Sequence, residues 1–169
     1  HKTGTDRIYE ALQKFDNKNV DLIMNLQGDE PLMNKEDIRN LNDQMIKNKS
    51  RLGTLASKIK DKAIYENENI VKVNTKELLD DLNFPEAINF SRKSLEGVKN
   101  TFHHLGIYCY NKETLKEFVS HNQSANEIKN RLEQLRALDN NIEINVALAS
   151  SSPIGVDTKE DYLAIKKIM

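Results

Sequence analysis

Two short acidic turns carry residue types that could hold a metal ion beside a small anionic ligand: QGDEP at 27–31 and GVDT at 155–158. Each follows a stretch that reads as a strand and precedes a helical pattern, and in open α/β sheets ligands collect beyond the carboxyl ends of strands. Asp29 and Asp157 are the acids placed for Mg²⁺, which prefers oxygen ligands and bridges protein to substrate phosphates. Gly28 lets a backbone approach a ligand, and Gln27 can read hydroxyls or a base edge. A plainer reading stands beside this one. Gly28, Asp29 and Pro31 are ordinary turn residues, and Asp157 or Thr158 can cap the last helix, with Glu160 or Asp161 in its first turn.

Three further stretches carry polar groups in suggestive places. In FHHLGIYCY, residues 102–110, a two-residue period sets His104, Gly106, Tyr108 and Tyr110 on one face and His103, Leu105, Ile107 and Cys109 on the other. The second is the apolar face, so His104 and Tyr108 point together into a polar cleft or, if the strand lies at an edge, into solvent. Cys109 reads as a small core residue, since nothing beside it marks an activating environment. HKTGTDR at 1–7 offers Arg7 and the hydroxyls of Thr3 and Thr5 near a helix start, where backbone N–H groups favour anions. Lys2 and Arg7 serve equally well as surface charges. In NEIKNRLEQLRAL, residues 126–138, Ile128, Leu132, Leu135 and Leu138 form one helical stripe. Glu133 then falls on the solvated side, with Gln134 and Arg136 flanking.

The elements that must position these groups alternate. Helical periodicity is expected near 6–16, capped by Thr5, then over 35–48, near 112–120, near 125–138 and from Thr158 onward. Strands are expected at 20–26, 52–59 and 142–149, and in IVKVN, AINFSR and HHLGIYCY, with an irregular segment at DKAIYENEN. This alternation predicts one α/β domain over 1–169 with a mostly parallel sheet.

Composition narrows the function classes. A chain of 169 residues has room for one core, and its formal net charge of −1 provides no broad basic field for nucleic acid. The single cysteine excludes an internal disulfide framework and CxxC motifs and suits a reducing cytoplasm. No P-loop, HExxH, GxSxG or spaced Cys/His cluster occurs, and no apolar run is long enough to cross a bilayer.

Taken together and in order, HKTGTDR, NLQGDEPLM, NFSR, HHLGIYCY, RLEQLRAL and SSPIGVDTKEDY resemble the 3-deoxy-manno-octulosonate cytidylyltransferases, from His1 essentially to Met169. The resemblance implies a Rossmann-like nucleotidyltransferase sheet and a cytoplasmic, Mg²⁺-dependent homodimer. Its substrates would be CTP and the acidic sugar Kdo, and its products CMP-Kdo and pyrophosphate for lipopolysaccharide synthesis. It makes Asp29 and Asp157 the metal carboxylates. It assigns Arg7, Gln27, His104, Tyr108, Glu133 and Gln134 to the sugar pocket, overriding the solvated reading of Glu133. It sets Thr3, Gly4 and Thr5 near the cytidine and gives Arg92 to phosphate.

The chain also departs from the pattern. The family opens with a strand and a basic glycine loop resembling ARxxSxRLPGK, which this sequence lacks, so a partial nucleotidyltransferase domain with little or no turnover is expected. The NFSR to HHLGIY connection is short, and Asn130 stands where glutamate is common. Alternatives are a cytidylyltransferase for another acidic sugar, separable by sialic acid in place of Kdo, and a non-catalytic sugar-binding module.

Overall fold

Strand β5 (Thr101–Asn111) organises the molecule. Both of its faces can be buried, so it sits inside the sheet rather than at an edge. Leu105, Ile107 and Cys109 pack on one side with Leu41, Met45 and Leu55, while Phe102, Tyr108 and Tyr110 pack on the other with Phe118, Leu132 and Leu135. The structure is a computed structural model that describes every residue except 2, 16–18, 154, 157–158 and 168–169, and all side chains among those except that of residue 161.

The chain runs α1 (Gly4–Lys14), β1 (Leu22–Asn25), α2 (Lys35–Asn48), β2 (Leu52–Ser57), α3 (Ala63–Glu66), β3 (Lys72–Thr75) and β4 (Ala87–Ser91). After β5 come α4 (Lys112–Ser120), α5 (Ala125–Asn130), α6 (Leu135–Asp139), β6 (Asn145–Leu148) and α7 (Lys159–Lys166). The sheet order is β4-β3-β5-β2-β6, with β1 also on β5. Strands β1, β2, β3 and β6 point one way, and β4 and β5 the other. Four of the six described strands thus share one direction, but the sheet is mixed: only β2 and β6 pair in parallel and the other four ladders are antiparallel, because the long β5 stands between strands that would otherwise be neighbours.

Two features of β5 make room for a site. On one edge it pairs with β3 up to His103 and with β1 from Tyr108 onward, leaving 105–107 without a strand partner there. On the other edge the register with β2 jumps from Thr54↔Tyr108 to Leu55↔Leu105, so Gly106 and Ile107 bulge out of the ladder. Bulges of this kind re-aim groups beside functional sites.

Helix α2 covers the Leu105 face. Asn34 caps it by accepting the Glu36 N–H at 2.9 Å, and Lys49 ends it in the left-handed conformation. Its tight seat depends on Gly53, where an added Cβ would lie 2.6 Å from Met45 Sδ and 2.9 Å from Phe84. The opposite face is covered by α1, α4 and the α5–α6 pair.

Three expectations change. The cap of α1 is Thr3 rather than Thr5, since Thr3 and Asp6 form a reciprocal capping box. Residues 63–66 form a short helix inside the segment expected to be irregular. The single helix expected near 125–138 is two helices: a Ser124–Glu127 capping box starts α5, and Arg131, with φ 54°, stops it after six residues. Ile128 is consequently exposed instead of facing inward.

Candidate active site

The interrupted helix explains why periodicity misplaced Glu133. Residues 131–134 form a turn between α5 and α6, and this turn aims Glu133 back at α1. The Thr5 N–H donates to Glu133 Oε1 at 3.3 Å, so an acid meets the positive end of a helix. The turn is pinned from beneath by Arg136, which donates through Nε and Nη2 to the two oxygens of Glu127 at 2.8 and 2.6 Å. Arg136 also lies 3.7 Å from Asp6 and stacks 4.5 Å over the Phe118 ring. Burial opposes ionisation of Glu127, but hydrogen bonds from Arg136 and Gln123 prevail and hold its carboxyl below the ordinary range. Gln134, buried, stands at the start of α6.

Within HKTGTDR the hydroxyls are already engaged. Thr3 caps the helix, and Thr5, 1% exposed, places Oγ1 3.2 Å from the Tyr110 hydroxyl. Gly4 stands among polar side chains. A Cβ built there would lie 3.7 Å from Arg7 Nη2, 3.9 Å from Glu133 Oε2 and 4.0 Å from Asn25 Nδ2, so these three groups surround the helix start.

His104 and Tyr108 share the same sheet face, with ring centroids 5.6 Å apart. Because β5 is central, both are buried rather than solvated. The Thr54 hydroxyl lies 2.7 Å from the Ile107 carbonyl and 3.0 Å from His104 Nε2. Its single proton goes to the carbonyl, so Nε2–H of His104 is the donor and Nδ1 keeps its lone pair. Burial, with His103 adding repulsion, pushes the His104 pKa down to about 3, so the ring is neutral. Burial likewise raises Tyr108 well above the usual phenol range, with Tyr110 and Glu133 adding to it. These are fixed neutral donors and acceptors, suited to sorting hydroxyl groups rather than moving protons. Cys109 is a core residue whose thiol burial pushes up to about 12.

Gln27 reaches the bulge, its Nε2 donating to the Gly106 carbonyl at 3.1 Å. Two residues on, the exposed Asp29 accepts the Val156 N–H on its carbonyl at 2.8 Å, and a Cβ on Gly155 would lie 3.3 Å from Glu30 Oε1. The GDEP and GVDT turns therefore touch. Further ties hold the chain after β6 in place. Asp37 accepts the N–H and hydroxyl of Ser150, each at 3.0 Å, Asn34 donates to the Ser150 hydroxyl at 3.3 Å, and Ser152 pairs with His103.

Thus Arg7 and Glu133 meet at Gly4, His104 and Tyr108 share one sheet face, Gln27 reaches the bulge between them and Gln134 follows Glu133 at the start of α6, with Thr3, Gly4 and Thr5 at the start of α1. Arg92 stands elsewhere, donating to the carbonyls of Glu68 and Asn69 at 3.3 and 3.1 Å. Asp157 lies outside the described residues, among which no group of three or more His, Cys, Asp or Glu side chains is placed to hold a metal. Asp29 still fits Mg²⁺ chemistry: it is an exposed oxygen donor, and its own backbone is hydrogen-bonded to Val156. Asn25, Glu127 and Arg136 were not singled out by the sequence as site groups. Asn25 carried one signal, an amide ending the otherwise apolar run LIMN.

The chain matches a family model described as cytidylyltransferase over residues 1–144. It is 37% identical over 171 residues to the 3-deoxy-manno-octulosonate cytidylyltransferase of Bartonella tribocorum, spanning all of this chain and 70% of that protein. The enzyme of the same name from Thermodesulfovibrio yellowstonii is 41% identical over 185 residues, again with 70% of its length covered. Among solved structures, a CMP:2-keto-3-deoxy-manno-octonic acid synthetase complexed with CTP superposes with a TM-score of 0.86 at 28% identity, covering all of this chain and 68% of that one. A 4-diphosphocytidyl-2C-methyl-D-erythritol synthase from Anaerococcus prevotii, 14% identical with a TM-score of 0.59, shares the fold. The matches to the two named relatives, which span the whole of this chain and 70% of each relative, show the family: the chain belongs to the 3-deoxy-manno-octulosonate cytidylyltransferases.

Proposed function

We propose that this site binds CTP and Kdo and serves transfer of the cytidylyl group to the sugar, giving CMP-Kdo and pyrophosphate. The anomeric hydroxyl of Kdo attacks the α-phosphorus, a P–O bond forms, and the bond to the leaving pyrophosphate breaks as the hydroxyl proton departs. What supports this reading is the pairing of Arg7 with Glu133 at Gly4, of His104 with Tyr108 on one sheet face, and of Gln27 with the bulge between them, two residues from the contact between the GDEP and GVDT turns. Arg7 suits the sugar carboxylate, and the neutral His104 and Tyr108 with Gln27, Glu133 and Gln134 suit its hydroxyls. Thr3, Gly4 and Thr5 are assigned to the cytidine side, while Arg92, held on the carbonyls of Glu68 and Asn69 away from this face, is left out of the phosphate contacts.

Mg²⁺ held by Asp29 and Asp157 would offset phosphate charge and lower the pKa of a bound hydroxyl. The protein's own work is positioning, which in phosphoryl transfer supplies much of the rate. We place this chemistry in the cytoplasm and in a homodimer. Among the described residues no helix is long and apolar enough to cross a membrane.

The test is pyrophosphate release from CTP with Kdo and Mg²⁺. It is run on the chain alone and on the chain fused behind the amino-terminal segment of the Bartonella tribocorum relative. Release that requires Kdo, and that Asp29→Ala or Asp157→Ala largely removes, is expected from at least the fused form. Equal release with sialic acid would overturn the sugar assignment, and full activity of either variant the metal assignment.

A further inference from the structure

The carboxamide of Asn25 is the anomaly of this face. Asn25 ends β1 opposite Tyr108 and is only 4% exposed, yet its buried Nδ2 has no hydrogen-bond partner. A buried amide donor left unmade destabilises a fold, and natural proteins leave few of them. Its surroundings show where the missing partner sits. Nδ2 lies 4.0 Å from the point where a Gly4 Cβ would stand, a point 3.7 Å from Arg7 Nη2 and 3.9 Å from Glu133 Oε2. The start of α1, an eleven-residue helix, opens onto the same spot. A ligand oxygen within hydrogen-bond reach of Nδ2 on this side, beyond van der Waals contact with Gly4, would accept from Asn25 and complete a set that the protein alone leaves open.

We propose that Asn25 is a sugar-binding residue, its Nδ2–H donating to a hydroxyl or carboxylate oxygen of the acidic sugar. This rests on the reading of the site given above. Because Asn25 lies one strand position before the exposed Leu26 and two before Gln27, β1 would present two amides to one ligand, Asn25 from the buried end and Gln27 from the rim.

The test pairs Kdo titration by calorimetry with thermal unfolding of the ligand-free chain, for wild type, Asn25→Leu and Asn25→Asp. Asn25→Leu keeps the branched outline of the side chain and removes the orphan donor, so its Tm should equal or exceed that of wild type while Kdo affinity falls at least tenfold. Asn25→Asp, an acceptor facing an anionic sugar, should lose affinity at least as much. A folded Asn25→Leu or Asn25→Asp that binds Kdo within twofold of wild type overturns the inference, as does a lowered Tm in Asn25→Leu, which would mean that Nδ2 is satisfied within the protein. A loss confined to CTP binding overturns the assignment to the sugar. Absence of Kdo binding in both the wild-type chain and the fused form overturns the proposed function and this inference together, whereas the other outcomes, read in whichever form binds Kdo, strike the inference alone.

Discussion

Thr5 and Glu133 meet across 128 positions of sequence, the helix N–H donating to the carboxylate at 3.3 Å. This contact docks the first helix on the 131–134 turn and leaves the second Glu133 oxygen facing Gly4. Glu133→Gln keeps an acceptor for Thr5 and should hold stability within about 0.5 kcal/mol, whereas Glu133→Ala should cost about 1 kcal/mol. Both should weaken Kdo binding. Calorimetric unfolding and Kdo titration check the pair, and a Gln variant with undiminished affinity would remove Glu133 from the sugar contacts.

The buried Glu127–Arg136 pair holds that turn in place, with side chains 4% and 2% exposed. Arg136→Leu leaves a carboxylate buried without its partner and should cost about 3–5 kcal/mol, while Glu127→Leu combined with Arg136→Leu should recover much of the loss. Urea unfolding of the single and double variants measures this. Additive losses would show that the two side chains act independently.

The touching acidic turns predict how metal affinity responds. Asp29→Asn should abolish most Mn²⁺ binding, read by electron paramagnetic resonance, with stability changed by less than about 0.5 kcal/mol because the side chain is exposed. Gly155→Ala inserts a methyl 3.3 Å from Glu30 Oε1 and 3.5 Å from the Asp29 carbonyl. By parting the turns it should weaken metal binding roughly tenfold, in line with other changes just outside a ligand set. Unchanged Mn²⁺ affinity in Asp29→Asn would show that the ion binds elsewhere.

His104 makes stability depend on acid. Its folded pKa is near 3 through burial, while the unfolded ring titrates near 6.5, so between these values the unfolded chain binds the extra proton. Stability is therefore fully present above pH 6.5 and falls as pH drops. Between pH 6.5 and 4.5 this one group should account for about 2–3 kcal/mol of loss. In His104→Gln the fall over that window should be smaller by this amount, as thermal unfolding at each pH would show. Parallel curves for the two proteins would mean that His104 titrates normally.

Local chemistry made much of this molecule legible. The apolar stripe of 35–48 and the two-residue alternation of β5 each follow from a period that a short window contains, and α2 and the two faces of β5 are found where those periods place them. Glu133 was misplaced because a single backbone reversal at Arg131 breaks a pattern whose leucines still fit a helix, and the cause, a carboxylate clamped on Arg136, is a tertiary fact. The grouping of Arg7 with Glu133 and Asn25 lies beyond any spacing rule, since it depends on α1 crossing the end of β1. Likewise, nothing in GDEP or GVDT alone shows that their backbones are hydrogen-bonded to each other.

The bulge in β5 has an even excess of two residues, and this governs how the strand can vary. Parity survives it: His104 and Tyr108, on either side of the interruption, still share a face, and Leu105 still meets the α2 side with Cys109. Loss of one residue from 105–107 would turn the amino-terminal half of the strand over, sending His104 toward Leu41 and Leu105 toward the Tyr108 face. Insertions and deletions in this stretch are therefore compatible with the fold only in pairs, and the spacing between the histidine and the tyrosine can drift in steps of two without either leaving their shared face.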